Sequence, residues 1–206
     1  MIEDWNDSEY CLMAVRENPR NLEFVKEQTS EMCLVAVKDD GHALGYVKEQ
    51  TSEICLAAVK INGNALQYVK EQTFEMCLVA VKQDGYALQY VKEQTHEICL
   101  AAVKRDGQAL RFVKEQTSEM CLEAVKEDGT ALEWVKEQTY EICLVAVKEN
   151  GNAFQYVEEQ SPLIIHYLKK YSIPKYTAFK KKNLITISEN EMKIFYNENP
   201  HLLLTL

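Results

Sequence analysis

Cys55-Leu-Ala-Ala-Val-Lys-Ile-Asn-Gly-Asn-Ala-Leu-Gln-Tyr-Val-Lys-Glu-Gln-Thr73 returns almost unchanged as Cys99-Leu-Ala-Ala-Val-Lys-Arg-Asp-Gly-Gln-Ala-Leu-Arg-Phe-Val-Lys-Glu-Gln-Thr117. Outward from this block the same unit recurs along most of the chain. Cys11, Cys33, Cys55, Cys77, Cys99, Cys121 and Cys143 each follow the last by 22 positions. A fixed short period is the mark of a solenoid, in which each unit buries its apolar face against its neighbours. A second period of 44 is superimposed, because Met32, Met76 and Met120 alternate with Ile54, Ile98 and Ile142 just before the cysteines.

A 22-residue period also falls within the leucine-rich class, whose strands need several inward apolar residues. One copy, Leu56 to Asn62, comes near that pattern. The residues equivalent to Ile61, however, are Glu17, Asp39, Gln83, Arg105, Glu127 and Glu149, and their polarity rules a strand out. Each unit instead reads as two short helices, favoured by its Thr-x-Glu start over the rival of one helix of about 20 residues from Gly to Gly with Thr51 in its middle. Thr29 caps a first helix running to about Lys38, with Glu31 in its first turn and Lys38 in its last. Gly41 is expected to close that helix in a left-handed conformation, and Pro19 marks the same break in the first unit. A second, amphipathic helix is expected over about residues 42–50, with Ala43, Leu44 and Val47 on its inner side. The first helix, apolar all round over Met32 to Val37, is the inner layer and needs cover on several sides. The expected fold is thus all-α: an α/α solenoid of about seven short helical hairpins over residues 1–160, followed by a mostly helical C-terminal cap over 161–206.

Seven cysteines raise the question of disulfides, metal or catalysis. Equivalent helices in a stack lie about 8 to 10 Å apart, too far for neighbouring cysteines to bridge. The four histidines, His42, His96, His166 and His201, lie near no cysteine pair, so a zinc site is not expected. A nucleophile needs a particular base at one site, whereas here the same thiol recurs in every unit. The cysteines are expected to be small buried hydrophobes in a reducing, cytoplasmic setting. The start Met1-Ile2-Glu3-Asp4-Trp5 has no basic, apolar signal-peptide pattern, and no stretch is long and apolar enough to span a membrane.

Function is expected at positions that vary between copies. After each Thr stand Ser30, Ser52, Phe74, His96, Ser118 and Tyr140; after each Gly stand His42, Asn64, Tyr86, Gln108, Thr130 and Asn152. Phe74, His96, Tyr140, His42 and Tyr86 are the candidate partner contacts, since exposed aromatic rings serve as binding anchors. Tyr46, Tyr68, Tyr90, Phe112, Trp134 and Tyr156 form an aromatic row read as core cover with polar tips outward. Gly45 interrupts a polar series, and either leaves a notch for a neighbour or is simply tolerated there. Glu123 in a Val/Ala series marks that position as peripheral.

The chain carries a net charge of −9. Residues 161–206 hold seven Lys against three Glu, a net of +4, so residues 1–160 carry −13 (−9 minus +4). An acidic solenoid repels a phosphate backbone. Lys175, Lys180, Lys181 and Lys182, interleaved with Tyr176 and Phe179, form a small basic patch that suits nucleic acid, an anionic surface or the solenoid itself. Pro162 begins a helix over 163–170 expected to cap the stack. Residues 184–196 fit either a short helix started by the Ser188-Glu-Asn-Glu191 capping box or a hairpin.

The unit Cys-Leu-x-Ala-Val-Lys-x-[Asp/Asn]-Gly-x-Ala-Leu-x-[Tyr/Phe/Trp]-Val-Lys-Glu-Gln-Thr resembles a helical repeat family of uncharacterised function found in large amoeba-infecting DNA viruses and in some bacteria and protists. The resemblance covers residues 8–160, and Asn18-Pro19-Arg-Asn-Leu22-Glu-Phe-Val25 is similar to that family's Asn-Pro variant. It implies architecture and a viral setting, with no catalytic residue, cofactor or metal. Composition and resemblance together lead to a non-enzymatic interaction protein, its partner being another protein or a second copy of the chain.

Overall fold

A computed structural model describes residues 4–158. The expected C-terminal cap, the 184–196 segment and the basic patch at Lys175, Lys180, Lys181 and Lys182 lie outside the described residues. Within them the chain is an all-helical solenoid of seven units, each a ten-residue α-helix followed by a 3-10 helix. The α-helices are α1 (Ser8–Glu17), α2 (Ser30–Asp39), α3 (Ser52–Ile61), α4 (Phe74–Gln83), α5 (His96–Arg105), α6 (Ser118–Glu127) and α7 (Tyr140–Glu149). Each α-helix packs on the next and each 3-10 helix on the next, which gives two layers.

The start of each α-helix follows the expected chemistry. Thr29 Oγ1 accepts a hydrogen bond from the Met32 N–H at 3.3 Å, and Thr51, Thr73, Thr95, Thr117 and Thr139 repeat the cap on the residue three further on. Glu in the first turn and Lys in the last complement the helix dipole in each of α2 to α7.

The helix end departs from expectation. Asp40, not glycine, terminates α2 in an extended conformation (φ −134°, ψ 110°), and its side chain accepts from the His42 N–H at 2.9 Å, capping the 3-10 helix that begins at Gly41. The glycines are required by close approach instead of backbone handedness. A Cβ on Gly85 would sit 2.8 Å from the Ala102 carbonyl oxygen and 3.0 Å from Asp106 Cβ, both in the next unit. Pro19 does open the first 3-10 helix, Pro19–Glu23, as its fixed φ allows.

The second helix is also corrected. In the second unit it is a 3-10 helix over Gly41–Tyr46, not an α-helix over 42–50, and Val47 leaves it in an extended conformation. An α-helix would tie up the Tyr46 carbonyl and the Lys48 N–H internally. Here both are taken by Gln28 of the preceding unit, at 2.8 and 2.9 Å. The three-residue turn brings Leu44 and Val47 to one side, and Ala43, Leu44 and Val47 are all buried.

Among the described residues the buried positions are apolar residues and glycines, with no charged or polar side chain. At the N-terminal end Trp5 covers the stack, its ring 5.3 Å from Tyr10 edge-on and 5.3 Å from Phe24.

Candidate interaction surface

Lys-Glu-Gln-Thr, identical in six consecutive copies of the repeat, stitches the units together. Gln72 donates from Nε2 to the Tyr90 carbonyl at 2.8 Å and accepts the Lys92 N–H on Oε1 at 3.0 Å. The same clasp recurs at Gln28, Gln50, Gln94, Gln116 and Gln138. Alongside it Lys70 Nζ reaches the Lys48 carbonyl at 2.9 Å, and Lys92, Lys114 and Lys136 each reach back 22 residues in the same way. These bonds satisfy backbone groups at the last residue of each 3-10 helix and in the extended segment after it, which have no partner within the helix. Their signal in the sequence was uniformity itself, which amphipathic spacing alone does not interpret.

All seven cysteines are free and buried. Cys77 Sγ donates to Gln72 Oε1 at 3.6 Å and lies at the base of a recess of about 210 Å³ lined by Lys70, Thr73, Phe74, Lys92 and Glu93. Burial raises the pKa of each thiol, that of Cys143 to about 11. Near neutral pH they are protonated, and the protonated form is a poor nucleophile.

The five candidate contact residues fall into two groups. Phe74 and His96 occupy the first positions of α4 and α5, in successive units on one edge, and both are exposed, Phe74 by 48%. His96 Nε2 lies 3.2 Å from Glu119 Oε2 of the following unit. Tyr140, at the start of α7, is half-buried and packs against the core. His42 and Tyr86, by contrast, join units. His42 Nε2 is 2.9 Å from Asn62 Nδ2 and its ring meets Tyr68 edge-on at 5.9 Å. Tyr86 meets Phe112 at 5.9 Å, and the Arg111 guanidinium lies 4.8 Å from the Tyr86 ring and 4.5 Å from the Phe112 ring. Gln108, at the same position, bonds to Asp128 at 2.6 Å and accepts from Trp134 Nε1 at 2.7 Å. The residues after the glycines therefore form a chain of contacts from unit to unit.

The aromatic row is half-buried against the core at Tyr46, Tyr90, Phe112, Trp134 and Tyr156. The room at Gly45 is filled by Tyr68, whose ring carbons would be 3.2 Å from an added Cβ.

A surface not anticipated from the sequence is the outer side of the α layer. The apolar helix is buried on the side of Met32, Cys33, Ala36 and Val37, whereas Leu34 and Val35 pack against the core but are only partly buried. Positions 31, 34, 35 and 38 share one helical stripe. It recurs as Glu53-Leu56-Ala57-Lys60, Glu75-Leu78-Val79-Lys82 and Glu97-Leu100-Ala101-Lys104, each with exposed charges around a half-buried apolar pair. Leu34 and Lys38 of α2 share one depression of about 370 Å³ with Glu53, Leu56, Ala57, Lys60 and Ile61 of α3, and Ile61 is 46% exposed. Glu123 lies on this stripe, half-buried, at the periphery its polarity indicated. It is 2.7 Å from Lys126 and 3.8 Å from Lys104, and the hydrogen bond from Lys126 holds its carboxyl below the usual range. The i, i+3, i+4, i+7 spacing was present in the sequence, but the core positions of the same helix mask it.

Among the described residues no three His, Cys, Asp or Glu side chains gather as a metal ion requires, and no helix is long and apolar enough to cross a membrane. No curated protein and no solved structure matches the chain. A family described as Domain of unknown function (DUF4116) matches in tandem at residues 29–74, 51–95, 73–117 and 117–169, more than half of the chain. The first three matches each span two structural units and begin 22 residues apart, in step with the 22-residue unit.

Proposed function

The chain belongs to the DUF4116 family, whose description assigns no activity, and from that premise we propose that it is a non-enzymatic scaffold that binds a protein partner along the open side of its α layer. One observation supports this reading: the leucines at 34, 56, 78, 100 and 122 pack against the core but are only partly buried in consecutive units, whereas the leucines of the 3-10 layer are buried completely. An extended surface repeated at fixed pitch is how solenoids engage partners. The exposed edge residues Phe74 and His96 add contacts beside it. Seven protonated, buried thiols suit a reducing compartment.

The test is capture of partners from the native cell with the full chain carrying Leu56→Gln, Leu78→Gln and Leu100→Gln together. Helical content should be kept, because these side chains leave water only in part, and the captured set should fall at least about tenfold, the loss expected when a central apolar anchor is removed. An unchanged set on a folded variant would overturn the reading.

A further inference from the structure

The stripe carries more than apolar area: it carries an order of charge. In each of α2 to α5 the second residue is an exposed Glu (Glu31, Glu53, Glu75, Glu97), the fifth and sixth are the apolar pair, and the ninth is an exposed Lys (Lys38, Lys60, Lys82, Lys104). The contacts that join units recur at the same spacing from one to the next, so these helices run in the same direction. Glutamates therefore form one rail along the solenoid, lysines form a parallel rail, and leucines lie between them.

Such a face has a simple complement. We infer that a second copy of this chain docks on it, face to face, with the two-fold axis running along the solenoid, an assignment that rests on the stripe being a docking surface. Rotation about that axis exchanges the two sides of the face, so each Glu rail meets the partner's Lys rail, while leucine still meets the apolar centre. The helices of the two copies then pass antiparallel, which also sets their dipoles antiparallel, each positive end beside a negative one. Rotation about an axis across the solenoid would instead place Glu over Glu and Lys over Lys, and like charges brought together oppose docking. The favoured arrangement has both N-termini at the same end and unit against equivalent unit.

Pitch gives an independent reason to choose a second copy over an unrelated helix. A single docked helix would match one unit or two, whereas the same chain repeats apolar centre and rails at the identical spacing. An isologous dimer of this kind is also the commonest closed assembly.

The experiment is sedimentation equilibrium of the full chain over a range from about 0.1 to 100 µM. The native chain should pass from monomer to dimer. Lys60→Glu, Lys82→Glu and Lys104→Glu together make both rails acidic and should weaken the dimer on the order of 100-fold, given six facing pairs each of modest strength. Adding Glu53→Lys, Glu75→Lys and Glu97→Lys to that variant restores the complement with the rails exchanged and should restore dimerisation. To fix the arrangement, Glu75→Cys chains are oxidised alone and mixed with Lys82→Cys chains; cross-linked dimer should form in the mixture and not in the single preparation. A monomer at every concentration, or dimerisation indifferent to the acidic variant, would overturn the proposal. Cross-linking of Glu75→Cys with itself would overturn the arrangement. Partner capture that still depends on Leu56, Leu78 and Leu100 while the chain stays monomeric would sink the second copy and leave the docking surface standing.

Discussion

The two layers of this solenoid are made from the same repeat, yet one is sealed and the other is open. In the 3-10 layer Ala87 and Leu88 have no exposed surface, and the backbone beyond them is clasped by Gln72 from the unit before. In the α layer, Leu78 and Val79 are only partly buried, between exposed Glu75 and Lys82. Helix spacing does not cause the difference, since both layers advance once per 22 residues. It follows from what each layer offers to its neighbours. The 3-10 segment presents small residues and unpaired backbone groups, so adjacent units close tightly and consume them. The α-helix satisfies its own backbone and is fully buried only along Met76, Cys77, Ala80 and Val81, which leaves the side of Leu78 and Val79 partly open.

The comparison implies that stability is concentrated where the units close on one another, and substitutions in the sealed layer should therefore have the largest effect. Gly85→Ala forces a Cβ toward the Ala102 carbonyl, a backbone atom that cannot turn aside. It should cost about 3 kcal/mol, the upper range for overpacking. Leu88→Ala, at a fully buried position, should cost a similar amount, about 3 kcal/mol, through lost burial and a cavity. Both are read from the shift in the denaturant midpoint. If Gly85→Ala were neutral, close approach would not explain the glycine.

Much of this architecture was legible beforehand. The period, the breaks at Gly41 and Pro19, the threonine caps and the buried cysteines all follow from short-range chemistry written in the residues themselves. What escaped was the chemistry acting between units. The choice between 3-10 and α over residues 42–50 depends on Gln28 competing for the Tyr46 carbonyl and the Lys48 N–H, 18 and 20 residues away. The helix end expected at Gly41 lies at Asp40, and the need for glycine is set from outside the unit, because the neighbour that forbids a side chain at Gly41 belongs to the next one. At the surface, the position of the variable residues was legible and their occupation was not. His42 and Tyr86 are engaged by the following unit, whereas Phe74 and His96 stay exposed on the other edge. Nor does periodicity within one helix tell which of its apolar sides a neighbour will cover, and that is why the leucine stripe was hidden.

The clasp itself should have an intermediate effect. Gln72→Ala leaves the Tyr90 carbonyl and the Lys92 N–H without their partner, and water can replace part of what is lost because the segment is near the surface. About 1.5 kcal/mol is expected. Gln72→Glu keeps an acceptor for the Lys92 N–H and loses the donor to Tyr90, so its midpoint should fall between those of the native chain and the alanine variant. An alanine variant as stable as the native chain would mean that the uniform Lys-Glu-Gln-Thr segment has another purpose, and the contrast between sealed and open layers would lose its cause.

The smallest effect on folding is expected on the open layer, and that is what makes it informative. Leu78→Gln exchanges a partly buried apolar side chain for a good helix former of similar length that keeps part of its aliphatic stem. Only the buried part of the leucine contributes transfer energy, so the loss should stay below about 1 kcal/mol, against about 3 kcal/mol for Leu88→Ala in the other layer. Stability and association should then separate: the denaturant midpoint of Leu78→Gln moves little, while its self-association in sedimentation falls. A leucine required only for packing would show the reverse, a large shift in midpoint with association unchanged in the molecules still folded. The same substitution at Leu56 or Leu100 should behave alike, since each occupies the equivalent place in its own unit, and an effect confined to one of the three would mean that a local pocket, not a repeated face, is what the α layer offers.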